Sequence, residues 1–458
     1  MIPLTVREIA DAVGGHMSAV APEAIVRAPA EFDSRAITAG GMFIALAGER
    51  VDGHDFAEAA TRAGAVVTLA SRDVRAPAII VDDVLQALGK LARYLVDRLP
   101  DLTIVGITGS SGKTSAKDLI AQLLAPLGQT IAPPGSFNNE LGHPTTVLRA
   151  QKDTKFLVLE KGARGPGHIS WLTEIAPPRI GVVLNVGAAH LGEFGDIETT
   201  AQAKGELVAA LPPEGVAVLN ADDPRVAVMS TKARTVFFGL SAQADVRAEN
   251  VVLHNGRAHF DLVTSAGRQA VRLKLFGEHH VSNALAAAAV ALEAGAELPQ
   301  VAKSLNDATA LSGGRMAVTE RPDGVTIIND AYNANPDSMR AALNALTAIA
   351  GEKRSWAVLG NMAELGPHAQ EAHQTIGAYA AELGVDRLVV IGENATSIHA
   401  GAIQSPGFRG ESHQVSTAQE ALAYLTTELR ANDVVLVKAS LSAGLQRVAL
   451  DLIAGETA

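Results

Sequence analysis

Residues 103–114 read TIVGITGSSGKT, and this stretch decides the fold of the central part of the chain. The run 102–107 is apolar and β-branched, as expected of a buried parallel strand, and from 115 to 127 leucine and isoleucine recur at helical spacing. A glycine-rich turn lies between the two segments. Strand, turn and helix in this order predict a loop that binds phosphate groups.

The turn has the chemistry of a phosphate site. Its glycines can adopt backbone angles closed to other residues, which brings N–H groups close to an anion. Lys113 is expected to reach the β- and γ-phosphates of a nucleotide, and the Thr114 hydroxyl to bind Mg²⁺. The usual pattern G-x-x-x-x-G-K-[ST] has glycine where this chain has Ile107, so the loop is a variant, and an ordinary turn with an exposed lysine is the alternative. The predicted phosphate-binding residues are Gly109, Ser110, Ser111, Gly112, Lys113 and Thr114.

Length and composition limit the possible classes of protein. A chain of 458 residues is long enough for about three domains. Hydrophobic residues make up 48% and charged residues 19%, which predicts a folded protein rather than a disordered one. The net charge of −11 and the lack of any basic run argue against a nucleic-acid-binding protein.

Cysteine usage and hydropathy indicate the compartment. The sequence has no cysteine, which excludes disulfides, thiolate metal sites and a cysteine nucleophile, and fits a reducing cytoplasm. The first ten residues lack the apolar core of a signal peptide, and no segment has the uninterrupted apolar length of a membrane span. We therefore expect a cytoplasmic protein with no membrane insertion.

The order of the apolar segments predicts an α/β protein of three domains. Residues 1–98 alternate short helical and strand-like runs, which indicates a small α/β domain. Residues 99–312 contain the phosphate loop, further buried strands and an antiparallel meander over 246–275. From 313 to 458, strands and helices alternate as in a doubly wound, Rossmann-like parallel sheet.

Three residues near predicted strands or helices are candidate metal ligands. Glu160 ends the apolar strand 156–159, and a carboxylate at the carboxyl end of a parallel strand is well placed to hold Mg²⁺. For His190, after the strand 180–186, the spacing leaves a ligand role and an ordinary turn position equally open. For Lys204, in a predicted helix over 199–210, a solvated surface lysine is the better interpretation from the sequence alone.

Several polar clusters lie beside turns. In the last domain, Arg315 could add positive charge at a transferring phosphate, Asn333 and Asn335 could contact adenine, and Asp330 a ribose hydroxyl. An ordinary surface arginine is the alternative for Arg315. Taken alone, the clusters 33–35 and 52–56 in the first domain are better explained as a cap and a turn, whereas the loop 135–144 is rich in polar groups that favour ligand contacts.

Laid end to end, these motifs resemble those of the ATP-dependent Mur ligases, which attach amino acids to the peptidoglycan precursor. The resemblance covers nearly the whole chain and is carried by residues 108–114, Glu160, 185–190, 203–206, 277–283, 314–315 and Asp330. The clusters 33–35, 52–56, 138–145 and 332–336 are similar to the branch that adds D-alanyl-D-alanine to UDP-N-acetylmuramoyl-tripeptide. The Asp-Asn-Pro-Arg motif usual in the branch that adds the third residue does not occur.

The resemblance implies roles for individual residues. It implies ATP and two Mg²⁺ ions as cofactors, one ion held through a carbamylated Lys204. The implied metal ligands are Thr114, Glu160, His190 and Lys204, and the implied catalytic residues are Lys113, His190, Lys204 and Arg315. The implied nucleotide contacts in the later part of the chain are Asn283 with adenine, Asp330 with ribose, Arg315 with the γ-phosphate, and Asn333 and Asn335. The implied substrate-binding residues are Ser34, Arg35, Asp52, His54, Asn138, Asn139 and Thr145.

The resemblance also implies a reaction, an amide ligation through an acyl phosphate. The expected partners are UDP-N-acetylmuramoyl-tripeptide and D-alanyl-D-alanine, and we expect a monomer. Asn361, Ala439 and Leu441 depart from the family pattern where the incoming dipeptide is expected. The alternatives are a ligase for another amino acid, a folylpolyglutamate-synthase-like ligase, and a nucleotide-gated regulatory module with slow hydrolysis. The third residue of the stem peptide and the base for the amine proton cannot be identified from the sequence.

Overall fold

The strands of the computed structural model gather in three large sheets that follow one another along the chain. The structure describes residues 1–48, 51–187 and 191–455. This arrangement confirms the predicted α/β class with a small first domain, a central phosphate-loop domain and a Rossmann-like last domain. The limits set at residues 98 and 312 stay predictions. Among the helices in the described ranges, none has the length and hydropathy needed to cross a bilayer.

The first part of the chain forms a small sheet in the order β2-β7-β6-β5-β4, with β2 antiparallel to its neighbour and the other pairs parallel. Helices α1 and α3 pack through their apolar faces into one core with this sheet. The elements are β1 (Leu4–Thr5), α1 (Val6–Val13), β2 (His16–Ser18), β3 (Ile25–Val26), β4 (Ala30–Glu31), β5 (Met42–Ile44), α2 (Ala57–Arg62), β6 (Val67–Ala70), β7 (Ala78–Ile80) and α3 (Val84–Val96).

The central part forms a sheet in the order β16-β15-β14-β13-β12-β11-β8-β10-β9. Its strands are β8 (Thr103–Thr108), β9 (Thr130–Ile131), β10 (Phe156–Glu160), β11 (Ile180–Val183), β12 (Val216–Asn220), β13 (Arg234–Gly239), β14 (Val246–His254), β15 (Arg257–Thr264) and β16 (Gly267–Phe276). Its helices are α4 (Lys113–Leu124), α5 (Gly142–Val147), α6 (His168–Ile175), α7 (Leu191–Phe194), α8 (Ile197–Ala209), α9 (Pro224–Ala227), α10 (His280–Glu293) and α11 (Leu298–Asp307).

The phosphate loop lies at the centre of this sheet. Strand β8 is buried and pairs in parallel with β10 on one side and β11 on the other, so the carboxyl ends of the three strands meet at one edge. Helix α10 packs against α4, and its run of fully buried alanines keeps the two helices close. The predicted meander is confirmed as β14, β15 and β16, which are antiparallel to one another.

The last part forms a sheet in the order β17-β18-β22-β19-β20-β21, parallel except for β17. Its elements are β17 (Ala317–Glu320), β18 (Thr326–Asn329), α12 (Pro336–Ala350), β19 (Ser355–Leu359), α13 (Ala369–Glu382), β20 (Arg387–Ile391), α14 (Thr396–Gln404), β21 (Glu411–Val415), α15 (Ala418–Glu428), β22 (Val434–Lys438) and α16 (Gln446–Ala454). Apolar cores fill both faces of the sheet.

The structure differs from the sequence prediction in a few elements. The helix expected from residue 115 begins at Lys113, because Gly112 adopts the left-handed conformation that ends the turn. Strands β17 and β21 were not predicted. Both are edge strands with several exposed or half-exposed polar side chains, and they lack the apolar run by which a central parallel strand is recognised.

Candidate active site

A cavity of about 440 Å³ lies between the phosphate loop and the last sheet. The start of α4 forms one wall, and the connection into the last sheet together with α12 forms the opposite wall. The structure brings together in this lining the predicted nucleotide-binding residues Ser110, Ser111, Gly112, Lys113, Thr114, Asn283, Arg315, Asp330, Asn333 and Asn335. Residues separated by more than 200 positions therefore share one cavity, as a site that closes around a nucleotide requires.

The turn itself is fixed by hydrogen bonds and close packing. The N–H groups of Ser110 and Ser111, which the sequence suggested for the anion, each donate to Asn185 Oδ1 at 3.0 Å. The N–H groups of the first turn of α4 are the donors left at this helix end. Gly112 has a φ of 80°, and a Cβ atom there would lie 2.6 Å from Asn283 Oδ1. This position therefore requires glycine, whereas Gly109, which was also predicted to bind phosphate, is not among the residues that line the cavity.

Lys113 lies close enough to the buried carboxyl group of Glu160 for the two charges to interact. The ammonium of Lys113 donates to the carbonyl oxygen of Gly109 at 2.6 Å. Burial lowers the pKa of Lys113, and the negative charge of Glu160 opposes this change. The lysine is therefore already directed back toward the loop that would carry phosphates.

Glu160 is fully buried at the end of β10 and is only partly satisfied. Its Oε2 atom lies 3.5 Å from Asn138 Nδ2, and its Oε1 atom has no hydrogen-bond partner. Burial raises the pKa of this carboxyl group, whereas the positive charges of Lys113, Lys117 and Arg315 lower it. A buried carboxylate oxygen without a partner is costly unless a cation or donor arrives, so the site fits a bound Mg²⁺.

Arg315 reaches across the cavity to the phosphate loop. Its Nη2 atom lies 3.0 Å from Ser136 Oγ and 3.4 Å from Thr114 Oγ1. The guanidinium also lies over the Tyr332 ring, 4.4 Å from the centroid, and its Nε atom has no partner. The alternative of an ordinary surface arginine does not fit this half-buried, inward position.

Lys204 lies on α8 with its side chain buried and lining the cavity, which corrects the surface-lysine interpretation. Burial and, to a lesser extent, the charge of Lys113 lower its pKa to about 7. A large share of this amine is therefore neutral and nucleophilic near pH 7. Two residues later in the same helix, Glu206 is half-buried and accepts the N–H groups of Gly167 and Ser170 at the start of α6.

The predicted ribose contact, Asp330, lies at the end of β18 and already has partners. Its Oδ2 atom accepts from Lys438 Nζ at 2.6 Å, and its Oδ1 atom accepts from the N–H of Met316 at 3.0 Å. Lys438 also donates to the carbonyl oxygen of Asn333. Asn335 caps α12 through its Oδ1 atom, and its Nδ2 atom donates to Ser110 O at 3.3 Å. These contacts join the last sheet to the phosphate loop.

The residues predicted to bind the other substrate are spread over a wider area. Asn138 and Asn139 line the cavity, but the side chain of Asn139 also accepts the N–H of Gly142 at the start of α5. Thr145 is buried within α5, where its hydroxyl donates to Leu141 O at 2.9 Å, and it does not line the cavity. The substrate roles of these residues stay predictions.

The candidates in the first domain lie outside the cavity. Arg35 is exposed and forms an ion pair with Asp33, which lowers the pKa of that carboxyl group to about 2. His54 is buried, with Nδ1 at 2.6 Å from Asp52 Oδ1, so this pair also has a structural task. Near Ser34, the rings of Phe32 and Phe137 lie 6.2 Å apart and join this segment to the loop of Asn138. His190 lies outside the described residues.

Sequence reasoning missed several residues that hold the site together. Ser136 contacts both Thr114 and Arg315, with its Oγ atom 2.5 Å from Thr114 Oγ1. The buried pair of Lys117 and Asp118 follows the phosphate loop on α4. Ser136 could have been found from its place in the polar loop 135–144. Burial of a Lys-Asp pair on a helix, in contrast, leaves no pattern in the sequence.

Comparison with known proteins decides the family. The chain matches the Mur ligase middle domain over residues 107–291, the glutamate ligase domain of Mur ligases over 314–441 and the catalytic domain of the Mur ligase family over 31–95. The chain belongs to the Mur ligase family. This membership confirms the predicted class of enzyme, an ATP-dependent ligase.

Relatives of this Mur ligase match it from end to end. A UDP-N-acetylmuramoyl-tripeptide–D-alanyl-D-alanine ligase from Mycobacterium tuberculosis is 51% identical, with 100% of this chain and 99% of the relative covered. The protein of the same name from Escherichia coli is 34% identical, with 98% of each chain covered.

Solved structures show the same correspondence. MurF from Acinetobacter baumannii has a TM-score of 0.87 and 32% identity, with 99% of both chains covered. MurF ligase from Thermotoga maritima, solved in complex with ADP, has a TM-score of 0.78 and 30% identity, with 93% of this chain and 96% of that chain covered. The three-domain arrangement of this Mur ligase is therefore that of solved MurF proteins.

Proposed function

We propose that this Mur ligase joins D-alanyl-D-alanine to UDP-N-acetylmuramoyl-tripeptide, with ATP as the energy source, in the synthesis of the peptidoglycan precursor. The observation that carries the proposal is the convergence of Lys113, Thr114 and Arg315, from two domains, at one end of the shared cavity. The end-to-end match to ligases of this name supports the choice of substrates. The solved MurF with ADP supports nucleotide use.

The chemistry follows from where positive charge is available. In the first step the tripeptide carboxylate attacks the γ-phosphorus of ATP, so that a new O–P bond forms, the bond to ADP breaks and an acyl phosphate results. Negative charge spreads over the phosphoryl oxygens in this step, and Lys113 and Arg315, which both line the cavity, are the cations proposed to meet it. The proposed task of both residues is to hold and stabilise those oxygens.

The second step forms the amide. The amine of the dipeptide attacks the acyl carbon, a tetrahedral intermediate forms, and its collapse breaks the C–O bond and releases inorganic phosphate while the nitrogen loses a proton. No protein nucleophile is needed. The protein contributes by holding both reactants in one water-poor cavity, because orientation replaces much of the entropy cost of their encounter.

Magnesium is part of the proposal. No three histidine, aspartate or glutamate side chains gather as a ready metal site within the described ranges. The unpartnered Glu160 Oε1 and the Thr114 hydroxyl fit one ion, and a carbamylated Lys204 would add a carboxylate for a second, with His190 as a further ligand. Bound Mg²⁺ would supply positive charge that neutralises the phosphate oxygens.

Replacing Glu160 with glutamine is expected to raise the Mg²⁺ concentration for half-maximal activity about tenfold or more, because the neutral amide is a weaker ligand for a hard cation. Titration of phosphate release with Mg²⁺ measures the change. Glu293→Gln, in which the altered carboxylate is paired with Arg234 outside the cavity, is the control and should keep the wild-type requirement. An unchanged Mg²⁺ requirement in Glu160→Gln would remove this residue from the metal site.

The substrate proposal is tested by phosphate release with UDP-N-acetylmuramoyl-tripeptide while the amine is varied. Release is expected to require both the muramyl peptide and D-alanyl-D-alanine, and to be far slower with single amino acids or L-alanyl-L-alanine, since the product bond needs the dipeptide amine in one orientation. Release without a muramyl peptide would favour a regulatory module. A preference for a single amino acid, or for a folate acceptor, would favour the other ligases.

The oligomeric state and location belong to the same proposal. The monomeric state stays a prediction. The cytoplasmic location predicted from composition stays a prediction.

A further inference from the structure

The segment that leads into the last sheet carries Arg315 in a strained backbone. This connector, residues 308–316, joins α11 to β17. Gly314 and Met316, on either side of Arg315, have φ values of 69° and 50°, in the left-handed region that is strained for methionine. Such a backbone keeps its shape only where surrounding contacts fix it. The contacts of the connector therefore bear directly on the position of Arg315.

Helix α4, which begins at the phosphate loop, supplies such contacts from its second and third turns. The side-chain amide of Gln122 donates to Thr309 O and accepts from the N–H of Thr309, both at 3.0 Å. Asp118 Oδ2 accepts the N–H of Ser312 at 3.0 Å. The connector is thus attached to the same helix whose first turn faces the cavity.

Lys117 completes the attachment. Its ammonium lies 2.7 Å from Asp118 Oδ1 and donates to Pro133 O at 2.6 Å and to the hydroxyl of Ser312 at 3.3 Å. These contacts use its three N–H donors, so none is left for a ligand. The two side chains are only 1% and 10% exposed, and a pair so deeply buried contributes little net stability compared with apolar packing. Because the pair contacts both Pro133 and Ser312, it fixes the positions of these two segments relative to each other.

The Lys117–Asp118 pair contacts both segments that meet at Arg315, the connector and the loop of Ser136. Pro133 leads into the loop of Ser136, whose hydroxyl lies 3.0 Å from Arg315 Nη2, and Ser312 lies three residues before Arg315. We propose that Lys117 and Asp118 are positioning residues, which hold the connector and the Ser136 loop so that Arg315 reaches the phosphate site. The inference rests on the proposed function for the identity of the reaction, but the attachment itself rests on the contacts above.

The test is a double-mutant cycle between Asp118 and Arg315. Asp118→Asn keeps the size of the side chain and removes the charge paired with Lys117. We expect kcat for phosphate release to fall about tenfold, because a displacement of about 1 Å at the reacting groups can cost up to about 10²-fold. The same Asp118→Asn change is then made in an Arg315→Ala enzyme, and phosphate release is measured in single turnover. Here it should alter the rate of phosphate release by less than about twofold, because no guanidinium remains to be positioned.

Two further variants separate positioning from loss of folding. Asp433→Asn breaks a largely buried pair with Arg354 away from the cavity, and it should lower the melting temperature without changing kcat at temperatures where the variant is folded. Gln122→Ala removes the two Thr309 contacts together with a hydrogen bond to Asp118 O within the same helix, and it leaves the Asp118 carboxylate in place. If Asp118→Asn does not fold, the loss of activity in Gln122→Ala should likewise depend on the presence of Arg315.

Equal losses from Asp118→Asn in both backgrounds would contradict the inference, as would full activity of a folded Asp118→Asn enzyme. If Asp118→Asn does not fold, equal losses from Gln122→Ala in both backgrounds would contradict it as well. An inactive wild-type protein would instead count against the proposed function.

Discussion

Replacing Lys113 with alanine is expected to lower kcat for phosphate release by at least about 10²-fold, which corresponds to about 3 kcal/mol of lost transition-state stabilisation. The residue lies at the first position of α4 in the wall of the cavity, and its ammonium is directed toward the carbonyl of Gly109. Its charge is already desolvated before substrate arrives. A preorganised cation in such a place stabilises developing phosphate charge more than a solvated one does.

The matched control is Lys90→Ala, which removes an exposed lysine from α3. It should keep wild-type turnover, and both variants should retain the wild-type circular dichroism spectrum. Near-normal turnover of a folded Lys113→Ala enzyme would exclude Lys113 from the phosphate site and would weaken every assignment made around the loop.

Replacing Lys204 with alanine is expected to lower kcat by about 10²-fold or more, and short carboxylic acids such as acetate or propionate should restore part of it. The carbamate forms when the neutral amine adds to CO₂, so that an N–C bond is made and one proton is released to solvent. Because burial lowers the pKa of Lys204 to about 7, the neutral amine becomes more abundant as pH rises through 7 and scarce below it. Enzyme freed of CO₂ should therefore recover activity faster at pH 8 than at pH 6 when bicarbonate is added so that the dissolved CO₂ concentration is the same at both pH values.

Lys113→Ala supplies an internal control for this rescue. That variant lacks a cation rather than a carboxylate, so added acetate or propionate should not restore its turnover. Rescue of both variants would point to a nonspecific effect of the acid. Wild-type turnover in Lys204→Ala, or a recovery rate independent of pH, would contradict the carbamate.

The sequence identified most residues of the candidate site, and the structure showed which of them contact one another. The order of strand, glycine turn and helix at 102–127 can be read from a short stretch of sequence. The spacing of apolar side chains reveals each element, because that spacing follows from the backbone geometry of a strand or a helix. Glu160 could be placed for the same reason, since it directly follows an apolar strand. The edge strand β21 could not, because an exposed strand has no apolar run to mark it.

Lys204 shows where local reasoning fails. On a helix, a lysine is most often exposed, and only the packing of α8 against the sheet turns this side chain into the cavity and lowers its pKa. Lys117 and Asp118 are similar, because their burial depends on a connector almost 200 residues away in sequence. Arg315 could be named from the sequence as a candidate, but its contact with Ser136 depends on how two domains meet.

By itself, the sequence determined that this Mur ligase is a three-domain α/β protein with a phosphate loop ending in Lys113 and Thr114, since glycine placement and apolar spacing are fixed by backbone geometry and the local hydrophobic pattern. Only the tertiary structure decided which charges are buried and which polar groups share the cavity. Burial and electrostatic interaction depend on distances between segments far apart in the chain, and no local pattern specifies those distances.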